Sequence, residues 1–364
     1  MERNREVLPS GDGAGSEPRG AGRDDTPDAP TSEGSVGASR GSLVRTIVGT
    51  LVRAAGTVLL LVFALRTVKW SDLAARLQTA DWRWWMAGLA AGVLVQVAAA
   101  VRWSALARPI GFRLATTTFI RRFFEGSFFS LCLPGSIGGD VIKAFRMSDS
   151  TTGRLLAGCT ILADRFTGFA ALAVLAATAL LVQRYHLETW AALGVGGLLL
   201  AAVMVPLGFA VGMLDKVLAW LPEHHRLRRF LGHLLPYQMR PSLLMRAVGW
   251  SMIVQMGGAF AVSLVGRSVG VHLPLATWFG SIPLVSLAMV LPISISGVGV
   301  REGGLAVLLE PHGVARDQAV AIGLLWFLTT IICGLIGGAC FFGDRRPVTV
   351  PLAQLAAARP APPG

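Results

Sequence analysis

Asp140, Lys143 and Arg146 recur at helical spacing directly behind Gly138 and Gly139. On a helix all three come within reach of one side. The two glycines can turn backbone N–H groups toward an anion, while the basic pair holds a phosphate oxygen. Asp140 also suits an N-cap, accepting from the first free amides and so fixing the basic residues behind it. A second set is Asp164 with Arg165, inside an otherwise apolar run. A charge at the centre of a membrane helix costs about 2.5 to 3.5 kcal/mol, so neither side chain should face lipid. Near an interface Arg165 could instead snorkel to water. Neighbours on a helix diverge, so each of the two is expected to reach a different partner. The third set is Arg301 and Glu302, with Gly297 and Gly299 before them and Gly303 and Gly304 behind. Such a glycine-rich backbone can approach a headgroup closely. Arg301 then acts as a phosphate clamp, with Glu302 as its positioning partner or as counter-charge to a cationic group. A purely structural bridge to Asp140 or Asp164 fits the same residues. Glu125, inside the apolar run before the first set, is a further candidate for a buried polar contact.

The elements that carry these sets are interrupted. Leu133–Gly139 and Leu291–Gly297 both read LPxSIxG, placing Ser136 and Ser294 at equivalent positions. Proline lacks the helical donor and glycine carries a large backbone entropy cost, so each copy predicts a break in a helix. Non-helical backbone at membrane depth survives only inside protein or beside a water-filled cavity. A chance match between two interfacial loops is the bland alternative.

Composition places the chain in a bilayer. Over 364 residues it is 53% hydrophobic and only 15% charged, with a mean hydropathy of +0.59, whereas soluble domains carry about 25% charge. Trp70, Trp82, Trp84, Trp103, Trp190 and Trp220 flank apolar runs, as an interfacial belt would. The net charge of +12 is uneven, because the first 39 residues are acidic and the basic excess lies between apolar runs. That pattern suits anionic headgroups and the positive-inside rule, and it speaks against nucleic acid. The four cysteines have no metal-ligand spacing and imply neither a disulfide framework nor a zinc site.

In order, residues 1–44 read as a disordered cytoplasmic head, too poor in apolar residues to offset backbone ordering. Crossings are expected over about 46–65, 84–101, 165–182, 190–213, 247–266 and 319–342. Arg102, Arg108, Arg113, Arg121 and Arg122 are read as one basic cytoplasmic linker, which puts the amino terminus on the same side. Residues 123–133 are too short to cross and end in the first break. A re-entrant hairpin and an interfacial amphipathic helix both fit. Residues 278–291 and 303–309 flank the second break, and 344–364 form a short cytoplasmic tail. The expected fold is all-α and polytopic, with about seven or eight segments, some broken or re-entrant, and a candidate internal repeat.

The runs FFSLCLPGSIGGDVIKAFR, ILADRFTG and LPISISGVGVREGG, in this order, resemble the lysylphosphatidylglycerol synthase transmembrane region over about residues 45–343. This family also covers the flippase-like part of the multiple peptide resistance factor. Pro134, Gly138, Gly139, Asp140, Arg146, Asp164, Arg165, Gly168, Gly297, Gly299, Arg301 and Glu302 fall on its recurring positions. The resemblance implies lipid translocation, or a role in polar-lipid or isoprenoid-linked envelope metabolism, in a bacterial inner membrane. No stretch here resembles the soluble aminoacyl-transferase domain of the two-part synthases.

Together these features predict a flippase or transporter for an anionic phospholipid or lipid-linked envelope precursor. Its partner is the anionic lipid itself, and no cofactor, metal or nucleophile is called for. Two rivals remain. A membrane-embedded transferase would use Asp140, Asp164 or Glu302 as general base, and a scaffold would bind a lipid-synthesis enzyme.

Overall fold

The computed structural model describes residues 70–132, 138–183, 241–290 and 296–343, together with positions 220, 222 and 294. All belong to the compact unit Val48–Gly364. The regular elements among them are helices: α1 (Trp70–Gln78), α2 (Trp82–Ala107), α3 (Thr116–Cys132), α4 (Gly138–Met147), α5 (Thr151–Gln183), α6 (Pro241–Ser268), α7 (Leu275–Val290), α8 (Val300–Leu309) and α9 (Arg316–Gly343), with two short 3₁₀ turns. The all-α class expected from the sequence is therefore present.

Among the described residues four helices, α2, α5, α6 and α9, are long and apolar enough to cross a bilayer. At about 1.5 Å per residue, each is longer than the ~30 Å hydrocarbon layer. Four of the five shorter helices come in two pairs, α3 with α4 and α7 with α8, and each pair flanks one LPxSIxG stretch. This arrangement is compatible with seven or eight segments. The expected crossings over 46–65 and 190–213 lie outside the described residues, as does most of the basic segment that follows the second of these.

Local chemistry sets the helix ends. Asp81 starts α2 by accepting from the Arg83 amide at 3.0 Å. Ser150 does the same for α5, where the Gly153 amide donates to its hydroxyl at 3.0 Å. Pro283 lies within α7 and removes one backbone donor there.

Among the described residues two large apolar clusters hold the bundle, one beside each break, with a small third around Ala170 and Ala173. Trp103, Phe112, Phe119, Met147 and Leu244 centre the first, where Trp103 and Phe119 meet edge to face at 5.1 Å. Trp278, Val265, Leu305, Leu309 and Ile322 centre the second. The most extensive helix pairings are α2 with α6 and α3 with α9. The α3–α9 seam depends on missing side chains, since a methyl at Gly337 would overlap the Phe124 carbonyl and one at Gly334 would overlap Leu131.

Three expectations change. Helix α2 does not close at Arg102 but continues to Ala107, so Arg102 belongs to the bundle and not to a linker. Arg121 and Arg122 lie within α3 for the same reason. Trp103 is 1% exposed and packs in the core, whereas Trp82 and Trp220 remain exposed as belt residues would.

Replacing Gly337 by Ala is expected to force α3 and α9 apart, at a cost of about 1 to 3 kcal/mol. Thermal unfolding of the detergent-purified protein measures it. Gly249→Ala, where an added methyl meets nothing within 4 Å, should leave the transition within about a degree of the wild type.

Candidate functional site

At the first break the charges sort into three linked groups. Arg102 on α2 clasps Asp164 on α5 through two parallel bonds, Nε to Oδ1 at 2.8 Å and Nη2 to Oδ2 at 3.0 Å. Its third arm donates from Nη1 to the Ser251 hydroxyl on α6 at 2.8 Å. Both charged residues are buried, so the pair joins three crossing helices through one guanidinium.

Glu125 is the second focus. Its carboxylate, on a residue 0% exposed, accepts from Arg122 Nη1 at 2.7 and 2.8 Å and from Arg146 Nε at 3.2 Å. Arg121 Nε stands 3.3 Å away, while Arg121 Nη2 reaches across to the Cys340 carbonyl on α9 at 2.7 Å. The Arg146 guanidinium also lies over the Phe341 ring at 5.2 Å, where the face of the ring attracts a cation.

Asp140 is the third. It lies in the first turn of α4 and is not its cap. Arg165 Nε reaches it at 2.6 Å and Lys143 Nζ at 3.3 Å. The ammonium of Lys143 also rests 4.3 Å from the Phe123 ring centre. Gly139 permits this arrangement, because α4 crosses α3 so closely that a methyl there would overlap the Gly126 carbonyl and the Ser130 hydroxyl. Asp164 and Arg165 thus turn to different partners, as adjacent helical residues must.

The second break is built differently. Ser296, Gly297 and Gly299 have φ of 54°, 74° and 85°, a left-handed path that glycine takes without penalty. The path delivers the chain to α8, where Glu302 reaches back so that the Gly299 amide donates to its Oε2 at 2.6 Å. Arg301 is 2% exposed and Glu302 1%. Arg301 donates from Nη2 to the Ser296 carbonyl at 3.2 Å, and its guanidinium lies 5.1 Å from each of the Trp326 and Phe327 rings on α9. Among the described residues, Arg301 Nε, Arg301 Nη1, Glu302 Oε1 and the Ser294 hydroxyl have no hydrogen-bond partner.

The bridge from Arg301 to Asp140 or Asp164 is not made, since those carboxylates pair with Lys143, Arg165 and Arg102. Glu125, Asp140, Lys143, Arg146, Asp164 and Arg165 therefore gather beside the first break. Ser294, Gly297, Gly299, Arg301 and Glu302 gather at the second. Ser136 lies outside the described residues. Helix α9 serves both groups, with Phe341 under Arg146 and Phe327 under Arg301, on the order of 20 Å apart along its axis at ~1.5 Å per residue.

The profile of the lysylphosphatidylglycerol synthase TM region matches residues 46–338. The chain belongs to that family. No curated protein matched the chain. Family membership and the apolar helices together make it a multi-pass membrane protein with a lipid-related role.

Sequence reasoning missed Arg102, Arg121, Arg122, Trp326 and Phe327 as members of these groups. For Arg121 and Arg122 a signal existed, because they precede Glu125 by one helical turn, where opposite charges meet. Nothing local distinguished Arg102 or the α9 aromatics.

Removing one partner of a buried ion pair strands the other, at about 3 to 5 kcal/mol. Asp164→Asn should therefore lower the thermal midpoint sharply, while Arg102→Leu combined with Asp164→Leu recovers most of the loss. Equal destabilisation by the single and double variants would show that the pair does not tie the helices.

Proposed function

We propose that the protein holds the anionic headgroup of a phospholipid or lipid-linked envelope precursor inside the bundle and helps it cross the membrane. The observation that carries this is Arg301, almost wholly buried with two guanidinium nitrogens unpartnered among the described residues. A buried donor left unmade costs about 1 to 3 kcal/mol, and more when charged. A phosphate oxygen at Nε and Nη1 removes that cost through charge-assisted bonds. The unpartnered Ser294 hydroxyl lies in the same turn region and can add a further donor. Family membership supports a lipid as the source of the phosphate.

At the first break, Arg146 and Arg165 hold Glu125 and Asp140. In the proposed mechanism they exchange these carboxylates for the headgroup in passing, while the acyl or prenyl tails stay in lipid. Alternate exposure requires one broken pair to move against the other, driven by the lipid gradient alone. The setting is a bacterial inner membrane with both termini cytoplasmic. With Arg102, Arg121 and Arg122 assigned to the bundle, the exposed Arg108 and Arg113 carry that orientation.

One feature favours a second function. Glu302 Oε1 is buried without a partner, which suits a general base in a membrane-embedded transferase acting on a lipid phosphate. Formation of a new lipid from a labelled donor, lost in Glu302→Gln while leaflet distribution stays unchanged, would establish the enzyme instead.

Reconstituted full-length protein should accelerate transbilayer movement of a fluorescent anionic lipid over a zwitterionic one. Arg301→Ala should slow the anionic lipid about tenfold or more, as loss of 1.4 kcal/mol implies. Arg301→Lys should recover only part, since an ammonium lacks the planar fork. Wild-type rates in folded Arg301→Ala protein would end the proposal.

A further inference from the structure

A groove on the outside of the bundle lies between the carboxyl end of α2 and the amino end of α6. It is a cavity of about 200 Å³, lined among the described residues by Arg102, Ala105, Leu243, Arg246, Ala247 and Trp250. Burial orders this lining. Arg102, Leu243 and Ala247 are buried and form the inner wall, while Ala105, Arg246 and Trp250 are exposed at the mouth. Alanine at 105 and 247 leaves a space that larger side chains would close.

The mouth opens toward hydrocarbon. Helix α6 is long and apolar enough to cross a bilayer, and below Trp250 its exposed row continues through Ile253, Met256 and Phe260. Large apolar residues at that spacing form one helical face, which on a crossing helix meets lipid tails. Arg246 lies one turn above Trp250, about 8 Å from the first residue of α6 at ~1.5 Å per residue. At that depth an arginine lays its stem on apolar surface and lifts its guanidinium to the headgroups. Indole rings gather at the same level.

The two arginines differ in what they can still bind. Asp164 and Ser251 already hold the arms of Arg102. Arg246 has no ion pair or hydrogen bond among the described residues, and no carboxylate lines the groove. A guanidinium above an apolar slot that opens to lipid is complementary to an amphiphile with an anionic head. Free phosphate would leave the slot empty, and a lipid without net charge would be held no better here than elsewhere on the surface.

We infer that this groove seats one resident anionic glycerophospholipid from the leaflet at the carboxyl end of α2, its phosphate on Arg246 and part of an acyl chain between α2 and α6. This lipid is distinct from the one carried at Arg301, and the inference stands without that site. The acyl chain fills the space against Arg102. Excluding water there strengthens the charge-assisted bonds to Asp164, so the lipid reinforces the junction of α2, α5 and α6.

Native mass spectrometry of the full-length Arg301→Ala protein in detergent removes the carried lipid from the count. It reads retention of phosphatidylglycerol and of phosphatidylcholine with the same acyl chains. One phosphatidylglycerol per chain should be retained, about fivefold more tightly than phosphatidylcholine, the preference that one basic residue near a membrane surface gives. Adding Arg246→Gln should abolish the preference, and Arg246→Lys should keep it, since a point charge suffices at an exposed headgroup. Arg246→Gln made alone should likewise cost the wild type one bound phosphatidylglycerol. Ala105→Leu, which puts a larger side chain into the groove, should lower retention of both lipids and remove the rise in thermal midpoint that phosphatidylglycerol gives the wild type. Equal retention of the two lipids, or an undiminished preference in folded Arg246→Gln protein, would overturn the inference and leave ordinary boundary lipid only.

Discussion

A guanidinium withdrawn from water inside an apolar bundle must be surrounded by acceptors or by aromatic faces, and this requirement organises the molecule. Arg102 answers it by gripping Asp164 with two arms and Ser251 with a third. The result fixes α2, α5 and α6 in register at a point where apolar packing alone would allow them to slide. Apolar contacts between helices and lipid differ little from those between helices, so polar knots of this kind specify which helices meet. Arg122 and Arg146 answer the same requirement through Glu125. Arg301 answers it only halfway, with two rings and one carbonyl.

That contrast separates architecture from function. Where each arm of an arginine has an acceptor, the residue holds helices together. Where arms are left over in a dry place, the protein carries a cost that folding alone does not recover. The turn before α8 concentrates such costs, in its left-handed residues and in the unpartnered atoms of Ser294, Arg301 and Glu302.

The helical class and the two interruptions were legible because hydropathy, proline and glycine act locally. The grouping of Arg301 with Glu302 and the flanking glycines was legible for the same reason, being contiguous in the chain. What could not be read was which loops are loops. Arg102, Arg121 and Arg122 look like a cytoplasmic basic linker when counted by charge, and their burial depends on Asp164 and on Glu125 with α4 packed above it. Trp103 likewise looks like an interfacial residue until Phe119 and Thr160 are brought to its ring.

The glycine seam between α3 and α9 governs where the molecule can bend. Backbones in such close contact have no soft side-chain layer to absorb shear, so the two helices travel as one stiff plank. Phe341, the ring under Arg146, and Trp326 and Phe327, the rings under Arg301, therefore keep a fixed separation on that plank, while the broken pairs that carry the two arginines move over it. Flexing must then be concentrated in helices less tightly seated, of which α7, with Pro283 interrupting its ladder, is the natural hinge.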